Sequence, residues 1–232
     1  MAGRDIRAVI FDKDGTLFDF RQSWGAWTQA LLTSLGGQTA VLARVLGFDP
    51  AAVDFAPDSP VIAMTTPEIA EILHPYLPHL SLAALNAEMN RQAVAAPMVQ
   101  AVDLRLVLGD LRASGLRLGL ATNDTEVPAR RHLADAGVLE LFDFVAGCDS
   151  GWGGKPEPGQ LMAFAAQMGL EPAEIAMVGD SLHDLEAGRR AGMAAVAVLT
   201  GIAQEAALAP HADVVLANIA SLGDWIAVQS RG

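Results

Sequence analysis

A short apolar strand that ends in two closely spaced carboxylates constrains this chain more than any other feature. Residues 8–11 are apolar, and Asp12, Lys13, Asp14 and Gly15 follow them directly. Strand alternation places the two aspartates on one side and the lysine on the other. Alone, the segment also fits an acidic β-turn, because Asp-Gly is a common turn dipeptide. As a strand end, it concentrates charge where open α/β sheets bind their ligands.

Composition limits the classes of protein to which the chain can belong. Its 232 residues are 52% hydrophobic and carry a formal net charge of −12. This hydrophobic content excludes a disordered chain, and the negative charge argues against nucleic acid or an anionic membrane as a main partner. No apolar run is long enough to span a bilayer. Cys148 is the only cysteine, and the N-terminus lacks a secretory pattern, so we predict a cytoplasmic protein.

The hydrophobic pattern predicts an α/β fold that is interrupted by a helical insertion. After the first strand the pattern is helical and broken by prolines, with helices predicted near residues 22–35, 38–47, 66–74 and 81–95. Helices and strands then alternate. The later helices are predicted near residues 98–114, 126–136, 158–168 and 183–191, and the strands at 116–121, 144–147, 175–178, 194–199 and 213–216. Such alternation is typical of a parallel sheet covered by helices.

Polar residues follow three further predicted strands, and a parallel sheet would bring them to one edge. They are Thr122 and Asn123, then Lys155 in a glycine-rich loop, then Asp180, Ser181 and Asp184. Each residue alone also fits a helix cap or a turn. Together, however, they gather four carboxylates, and two charges about 4 Å apart repel by about 4 kcal/mol at an effective dielectric near 20. A divalent cation beside Lys155 removes this repulsion, and hard oxygen donors suit Mg²⁺.

These motifs, in this order, resemble those of the haloacid dehalogenase superfamily over nearly the whole chain. The matching segments are Asp12-x-Asp14-Gly-Thr-Leu, Thr122-Asn123, Lys155-Pro156-x-Pro158 and Gly179-Asp180-Ser181-x-x-Asp184. Within the superfamily the chain looks most like the phosphoglycolate phosphatase-like group. The resemblance implies a three-layer, Rossmann-like parallel sheet core with an inserted, all-helical cap. We assign residues 1–18 and 98–232 to the core and residues 19–97 to the cap.

The resemblance also implies a role for each motif residue. Asp12 would attack phosphorus and form an aspartyl-phosphate, and Asp14 would act as general acid and then as general base. The phosphoryl oxygens would bind Thr122, Asn123 and Lys155. The Mg²⁺ ligands would be Asp12, Asp14 through its carbonyl, and Asp180, with Ser181 and Asp184 in support.

The implied activity is Mg²⁺-dependent hydrolysis of a small phosphorylated metabolite by a monomer or homodimer. One candidate substrate is 2-phosphoglycolate, and the alternatives are a sugar phosphate or a nucleotide. A phosphotransferase or mutase of the same superfamily is a further alternative. Trp24 stands near the position where the β-phosphoglucomutase type has a histidine, which disfavours a mutase.

Three other chemistries are disfavoured by single positions. Asp14 argues against dehalogenation, in which the intermediate needs no leaving-group proton. Phosphonate hydrolysis in this superfamily needs a cap lysine, and no lysine lies between residues 13 and 155. A P-loop would need a glycine at Asp149 and a serine or threonine at Pro156.

Several cap residues and all the histidines receive weaker interpretations. Trp24 and Trp27 are predicted to pack in the cap core. The cationic cap residues that could contact a substrate carboxylate are Arg21, Arg44 and Arg91. The histidines show no metal-ligand spacing and are interpreted as surface or helix-end residues; they are His74, His79, His132, His183 and His211.

Overall fold

The structure is a computed structural model that describes residues 4–229. In chain order its strands are β1 (Ala8–Phe11), β2 (Phe48–Asp49), β3 (Asp54–Phe55), β4 (Arg117–Ala121), β5 (Phe144–Ala146), β6 (Ile175–Gly179), β7 (Ala194–Val198) and β8 (Val214–Leu216). Its α-helices are α1 (Phe20–Leu35), α2 (Thr39–Val45), α3 (Thr66–Leu73), α4 (Leu82–Val94), α5 (Leu104–Ala113), α6 (Glu126–Asp135), α7 (Gly159–Met168), α8 (Leu182–Ala191), α9 (Glu205–Leu208) and α10 (Leu222–Gln229).

Six of the strands form one parallel sheet, in the order β5-β4-β1-β6-β7-β8. From β1 the chain extends the sheet first on one side and then, from β6 onward, on the other. Phe11 at the end of β1 lies opposite both Leu120 and Val178, so the three central strands end at the same level. Ligands bind beyond the carboxyl ends of the strands where the strand order reverses in this way.

Helices cover both faces of the sheet and make the three predicted layers. Val9 and Phe11 of β1 pack into a cluster with α5, α6 and α10, whereas Ala8 and Ile10 pack with α7 and α8 on the other face. Because both faces are covered, the central strands are apolar except for Arg117 at the start of β4. The predicted α/β fold with a parallel, three-layer core is confirmed. Among residues 4–229, no helix has the length and apolar character needed to cross a bilayer.

The inserted segment has a hydrophobic cluster of its own, built from α1 to α4. Trp24 and Trp27 are buried in this cluster, as predicted. The two connections to the sheet lie side by side, since the Asp19 amide donates to the Val99 carbonyl at 2.8 Å. The division of the chain after residue 18 and before residue 98 stays a prediction.

Two departures from the predicted elements concern the cap and its connection to the core. Besides its helices, the cap contains the two-residue antiparallel pair of β2 and β3, which is too short to give a periodic signal. The helix predicted from residue 98 begins at Leu104 as α5. Residues before it are held by the first connection, since the Ala101 amide donates to the Leu17 carbonyl at 2.9 Å. Asp103 then caps α5 by accepting from the Leu106 amide at 3.0 Å.

Candidate active site

The carboxyl ends of β1, β4 and β6 open into a cavity of about 60 Å³ between the sheet and the inserted segment. A cavity of this size holds several waters or a small anion. Every motif residue that the sequence predicted for the site lines it: Asp12, Asp14, Thr122, Asn123, Lys155, Asp180, Ser181 and Asp184. The structure therefore brings the four motifs together as predicted, while the chemical roles of these residues stay predictions.

Lys155 lies buried between two carboxylates. Its Nζ is 2.5 Å from Asp12 Oδ1 and 2.6 Å from Asp184 Oδ1. Burial alone would lower the pKa of Lys155, but the two carboxylates outweigh burial and raise it above the ordinary value. Lys155 is therefore a fixed positive charge at this edge of the sheet.

Asn123 holds the backbone that carries Lys155. Its Oδ1 accepts from the Lys155 amide at 2.8 Å, and its Nδ2 donates to the Lys155 carbonyl at 2.9 Å. The same Nδ2 donates to the carbonyl of Ala63 in the cap at 2.7 Å. Thr125 on the core side donates to Asn90 Oδ1 of α4 at 2.6 Å. These cross-contacts hold the cap closed over the strand ends.

Two of the buried carboxyl groups resist ionisation. Burial is the main cause that raises the pKa of Asp12 to about 7, with Asp184 and Asp14 adding to it and Lys155 opposing it. Burial, followed by the charges of Asp12 and Asp184, also raises the pKa of Asp180 well above its usual range. A cation at this position would stabilise both ionised forms.

The residues present fit a small divalent cation. Asp12, Asp180 and Asp184 each offer a carboxylate oxygen, and these atoms lie within 4.8 Å of one another. The backbone leaves room around Asp180: a Cβ at Gly15 would lie 2.4 Å from Asp180 Oδ2, and one at Gly201 would lie 1.6 Å from it. The three oxygen donors, together with Gly15 and Gly201 beside Asp180, form an arrangement that we call the cradle. Oxygen donors of this kind match the preferences of Mg²⁺.

Asp184 enters this carboxylate cluster, whereas the sequence assigned it a supporting role. Its Oδ2 accepts from the Ser181 amide at 3.0 Å and from the Ser181 hydroxyl at 2.6 Å. Ser181 in turn caps α8 by accepting from the Asp184 amide. This capping box fixes the Asp184 carboxylate, whose Oδ1 holds Lys155. The carboxylate of Asp14 turns instead toward Lys13.

The close approach of Gly201 to Asp180 gives a direct test of the cradle. We expect Gly201→Ala to displace the Asp180 carboxylate and to weaken Mg²⁺ affinity by about 10–100-fold, the usual effect of disturbing a residue that supports a metal ligand. Titration calorimetry with Mg²⁺ measures this change. Gly109→Ala is the matched control, because a Cβ there meets nothing within 4 Å. Equal Mg²⁺ affinity in the Gly201→Ala and Gly109→Ala variants would contradict the proposed role of Gly201 in the cradle.

The cap side of the cavity is apolar. Its lining includes Phe20, Trp24, Trp27, Val61, Ile62, Met64, Ile69 and Met89. Arg21, Arg44 and Arg91 are outside the lining formed by residues 4–229. Arg21 pairs with Asp54 at 2.8 Å, and Arg91 pairs with Glu88. The structure therefore does not bring the candidate cap arginines to the site.

His132 lies in the last turn of α6, as its interpretation as a helix-end residue predicted, but it is not on the surface. Its side chain is buried, with Nε2 2.8 Å from the Ala93 carbonyl and Nδ1 3.1 Å from Lys13 Nζ. The residue is covered because α6 packs against α4 of the cap, a contact between distant segments. One local signal was present, since His132 follows Ala129 at helical spacing on the buried face of α6.

Sequence reasoning also gave no role to three other polar residues at the site. Thr16 lies with its hydroxyl 3.5 Å from Asp180 Oδ1. Thr200 donates to the Gly15 carbonyl at 2.6 Å and so fixes the loop after β1. Asp124 faces Lys13, with Oδ2 3.0 Å from Nζ. Only Thr16 belongs to a motif, so the other contacts had no signal in the sequence.

Comparison with known proteins agrees with this geometry. A 243-residue alignment with a phosphoglycolate phosphatase of Rhodospirillum rubrum is 31% identical and covers 97% of this chain and 93% of the relative. An N-acetylmuramic acid 6-phosphate phosphatase of Pseudomonas aeruginosa is 27% identical and covers 84% of this chain and 83% of the relative.

Solved structures share the fold at lower identity. CbbY from Rhodobacter sphaeroides, in complex with phosphate, superposes with a TM-score of 0.70 at 20% identity and covers 94% of this chain and 96% of its own. A structure described as a predicted phosphoglycolate phosphatase from Haemophilus somnus gives a TM-score of 0.72 at 18% identity, covering 95% and 98% of the two chains. The haloacid dehalogenase-like hydrolase family matches residues 6–192. The predicted superfamily and hydrolase class are thus confirmed: this chain belongs to the haloacid dehalogenase-like hydrolase family.

Proposed function

We propose that this protein is a Mg²⁺-dependent phosphatase that hydrolyses a small phosphorylated metabolite through a phosphorylated Asp12. The observation that carries the proposal is the buried Lys155, which contacts Asp12 and Asp184 beside Asp180. Burying several charged groups together is costly when their charges are not fully compensated. The carboxylates and fixed cation of the site are matched to an anionic substrate that arrives with a divalent metal.

In the proposed reaction Asp12 Oδ attacks phosphorus, and the bond to the leaving alcohol breaks. The positive charge of Lys155 stabilises the negative charge of the nucleophile and of the phosphoryl oxygens. Mg²⁺, held by Asp12, Asp180 and the Asp14 carbonyl, would neutralise the carboxylates and the phosphate. Asp14 donates a proton to the leaving oxygen and then takes one from the water that attacks the phosphorylated Asp12.

The remaining polar groups of the site position these residues. Thr122 lines the cavity; its hydroxyl oxygen accepts from the Asp124 amide at 3.1 Å, and its carbonyl accepts from Gln160 Nε2 at 3.1 Å. Asn123 holds Lys155 through two backbone contacts, so we propose that it orders the phosphate-binding loop in addition to contacting the phosphoryl group. Ser181 and Asp184 fix the end of α8 next to Asp180.

The cavity between the cap and the strand ends is small, about 60 Å³, and favours a small substrate. A nucleotide, the largest of the candidate substrates, is therefore the weakest of them. The relatives make 2-phosphoglycolate the first compound to test. A sugar phosphate is the second candidate, because one relative is named for a phosphorylated amino sugar acid.

Phosphate release from a panel of phosphorylated metabolites, with Mg²⁺ and with EDTA, tests this proposal. The panel contains 2-phosphoglycolate, several sugar phosphates, nucleoside monophosphates and an aryl phosphate. We expect metal-dependent release, fastest with a small monoester. Undiminished release in EDTA would contradict the metal requirement. A folded protein that binds Mg²⁺ and releases nothing from any member would contradict the phosphatase.

The raised pKa of Asp12 predicts the pH dependence of metal binding. Only the ionised carboxylate binds the cation, and the pKa in the metal-free protein is about 7. Mg²⁺ binding should therefore release a proton and weaken as the pH falls, by at least about tenfold for each pH unit below this value, since the raised pKa of Asp180 acts in the same direction. Calorimetry at about pH 6 and about pH 8 checks the sign, and equal affinities would contradict it.

Location and assembly stay predictions. We expect the protein in the cytoplasm, as a monomer or homodimer, with no nucleic acid or membrane as a partner.

A further inference from the structure

The only lysine besides Lys155 is Lys13, and it is completely buried next to the site. The proposed reaction gives it no task. Burying an ammonium group is costly unless charges and polar groups surround it. Lys13 is nevertheless buried and lies one residue from the proposed nucleophile Asp12. The groups around its ammonium therefore indicate what it does at the site.

Four groups surround the Lys13 ammonium. Nζ lies 3.1 Å from Asp14 Oδ2 and 3.0 Å from Asp124 Oδ2. It also lies 3.1 Å from His132 Nδ1 and 5.0 Å from the centre of the Trp24 ring. The second carboxylate, the imidazole and the aromatic face fix the position of the ammonium, and the ammonium in turn holds one oxygen of Asp14.

The two oxygens of Asp14 consequently differ. Oδ2 faces Lys13, whereas Oδ1 is buried and has no hydrogen-bond partner among residues 4–229. An ammonium group only donates, so the oxygen that faces Lys13 accepts from it, and Oδ1 is the oxygen left to carry the proton. Asp14 lines the cavity, but Oδ1 itself is buried, so the leaving oxygen of a bound substrate would be its first hydrogen-bond partner.

His132 has a defined tautomer in this arrangement. Because Lys13 only donates, Nδ1 must accept, and the ring proton is on Nε2, which donates to the Ala93 carbonyl at 2.8 Å. Ala93 lies in α4, and Trp24 lies in α1. Two of the contacts around Lys13 and His132 therefore come from the cap.

We propose that Lys13, held by His132, is the positioning residue for Asp14: it holds Oδ2 and so directs the proton-bearing Oδ1 at the leaving oxygen of the substrate. This inference rests on the proposed role of Asp14 as general acid. Lys13 itself touches neither substrate nor metal.

Leaving-group dependence separates positioning from a structural role. A poor alkoxide leaving group needs the Asp14 proton, whereas an aryloxide needs little protonation. For Lys13→Met we expect kcat/KM, which reports the step in which the leaving group departs, to fall by about 100-fold with the best alkyl phosphate, within the range that general acids contribute, and by less than about threefold with an aryl phosphate. The later hydrolysis of the phosphorylated Asp12 is common to both substrates and does not enter this ratio. An equal loss with both substrates would overturn the proposal.

Two further variants keep the outcome interpretable. Lys13→Met leaves Asp124 buried without its cation, so the double variant Lys13→Met/Asp124→Asn restores the charge balance if the single variant does not fold. It should show the same split between substrates. Asp14→Asn is the reference and should show a larger split of the same kind in kcat/KM. If Asp14→Asn loses kcat/KM equally with both substrates, the general-acid role in the proposed function fails; if only the lysine variants do, the positioning role alone fails.

The tautomer of His132 gives a readout that needs no turnover. In the wild-type protein, ¹⁵N chemical shifts should show a neutral ring with the proton on Nε2. A ring proton on Nδ1 would exclude the contact with Lys13 and overturn the proposed arrangement. In Lys13→Met the Nδ1 signal should shift, because its donor is removed.

Discussion

Asp12→Asn should abolish turnover while the protein stays folded. When several catalytic residues act together, removal of the nucleophile costs about 10⁶-fold in rate. Asparagine preserves the shape of the side chain, so folding should not be affected. The change should not destabilise the metal-free protein greatly. In the folded protein the pKa of Asp12 is raised to about 7, so its stabilising contribution is present at low pH and is lost as the pH rises through that value. The neutral amide avoids this loss.

Steady-state phosphate release and thermal unfolding measure the two parts of this prediction. The matched control is Asp135→Asn, an exposed aspartate on α6 that pairs with Arg131 at 2.8 Å. We expect this control to keep wild-type turnover, since surface changes of this kind have small effects. Substantial activity in Asp12→Asn would overturn the mechanism.

Lys155→Ala should lower kcat by about 10²–10³-fold, the usual loss when one preorganised electrostatic donor is removed. It should also destabilise the metal-free protein by about 3–5 kcal/mol, because Asp12 and Asp184 would be left as buried, unpaired carboxylates. Since a cation can replace part of the lost charge, added Mg²⁺ should recover part of the stability but not the rate.

Arg190→Ala is the control for this change. Arg190 is partly exposed and pairs with Glu157 at 2.7 Å, next to the loop that carries Lys155. Its removal should change kcat by less than about twofold. If Lys155→Ala lost less than tenfold in kcat, Lys155 would have a structural role only.

The fold and the meeting of the motifs could be predicted because both depend on local patterns. The apolar run before Asp12 and the alternation of strands and helices fix a parallel sheet, and the sheet brings Asp12, Thr122 and Asp180 to one edge. The capping box between Ser181 and Asp184 is likewise readable from their spacing.

What the sequence did not reveal depends on contacts between distant segments. His132 is buried by a helix 39 residues away, and Gly201 is needed only because Asp180 approaches it. Arg21 pairs with Asp54, 33 residues away, which periodicity cannot show; the pair of Arg91 with Glu88, in contrast, has helical i,i+3 spacing. Lys13 is contacted by Asp14, by the loop after β4, by α6 and by α1. Strand alternation predicted only that its side chain points away from Asp12 and Asp14. In the structure its ammonium group nevertheless reaches the Asp14 carboxylate.

The most direct test of the account is to locate the phosphoryl group on the enzyme during turnover. Enzyme quenched with acid while it hydrolyses its best substrate with Mg²⁺ would be digested with pepsin at acid pH, which preserves an acyl phosphate. Fragmentation by mass spectrometry should place one phosphoryl group on Asp12 and none in Asp12→Asn. A phosphoryl group on another residue, or continued turnover by an enzyme that never carries one, would contradict the account.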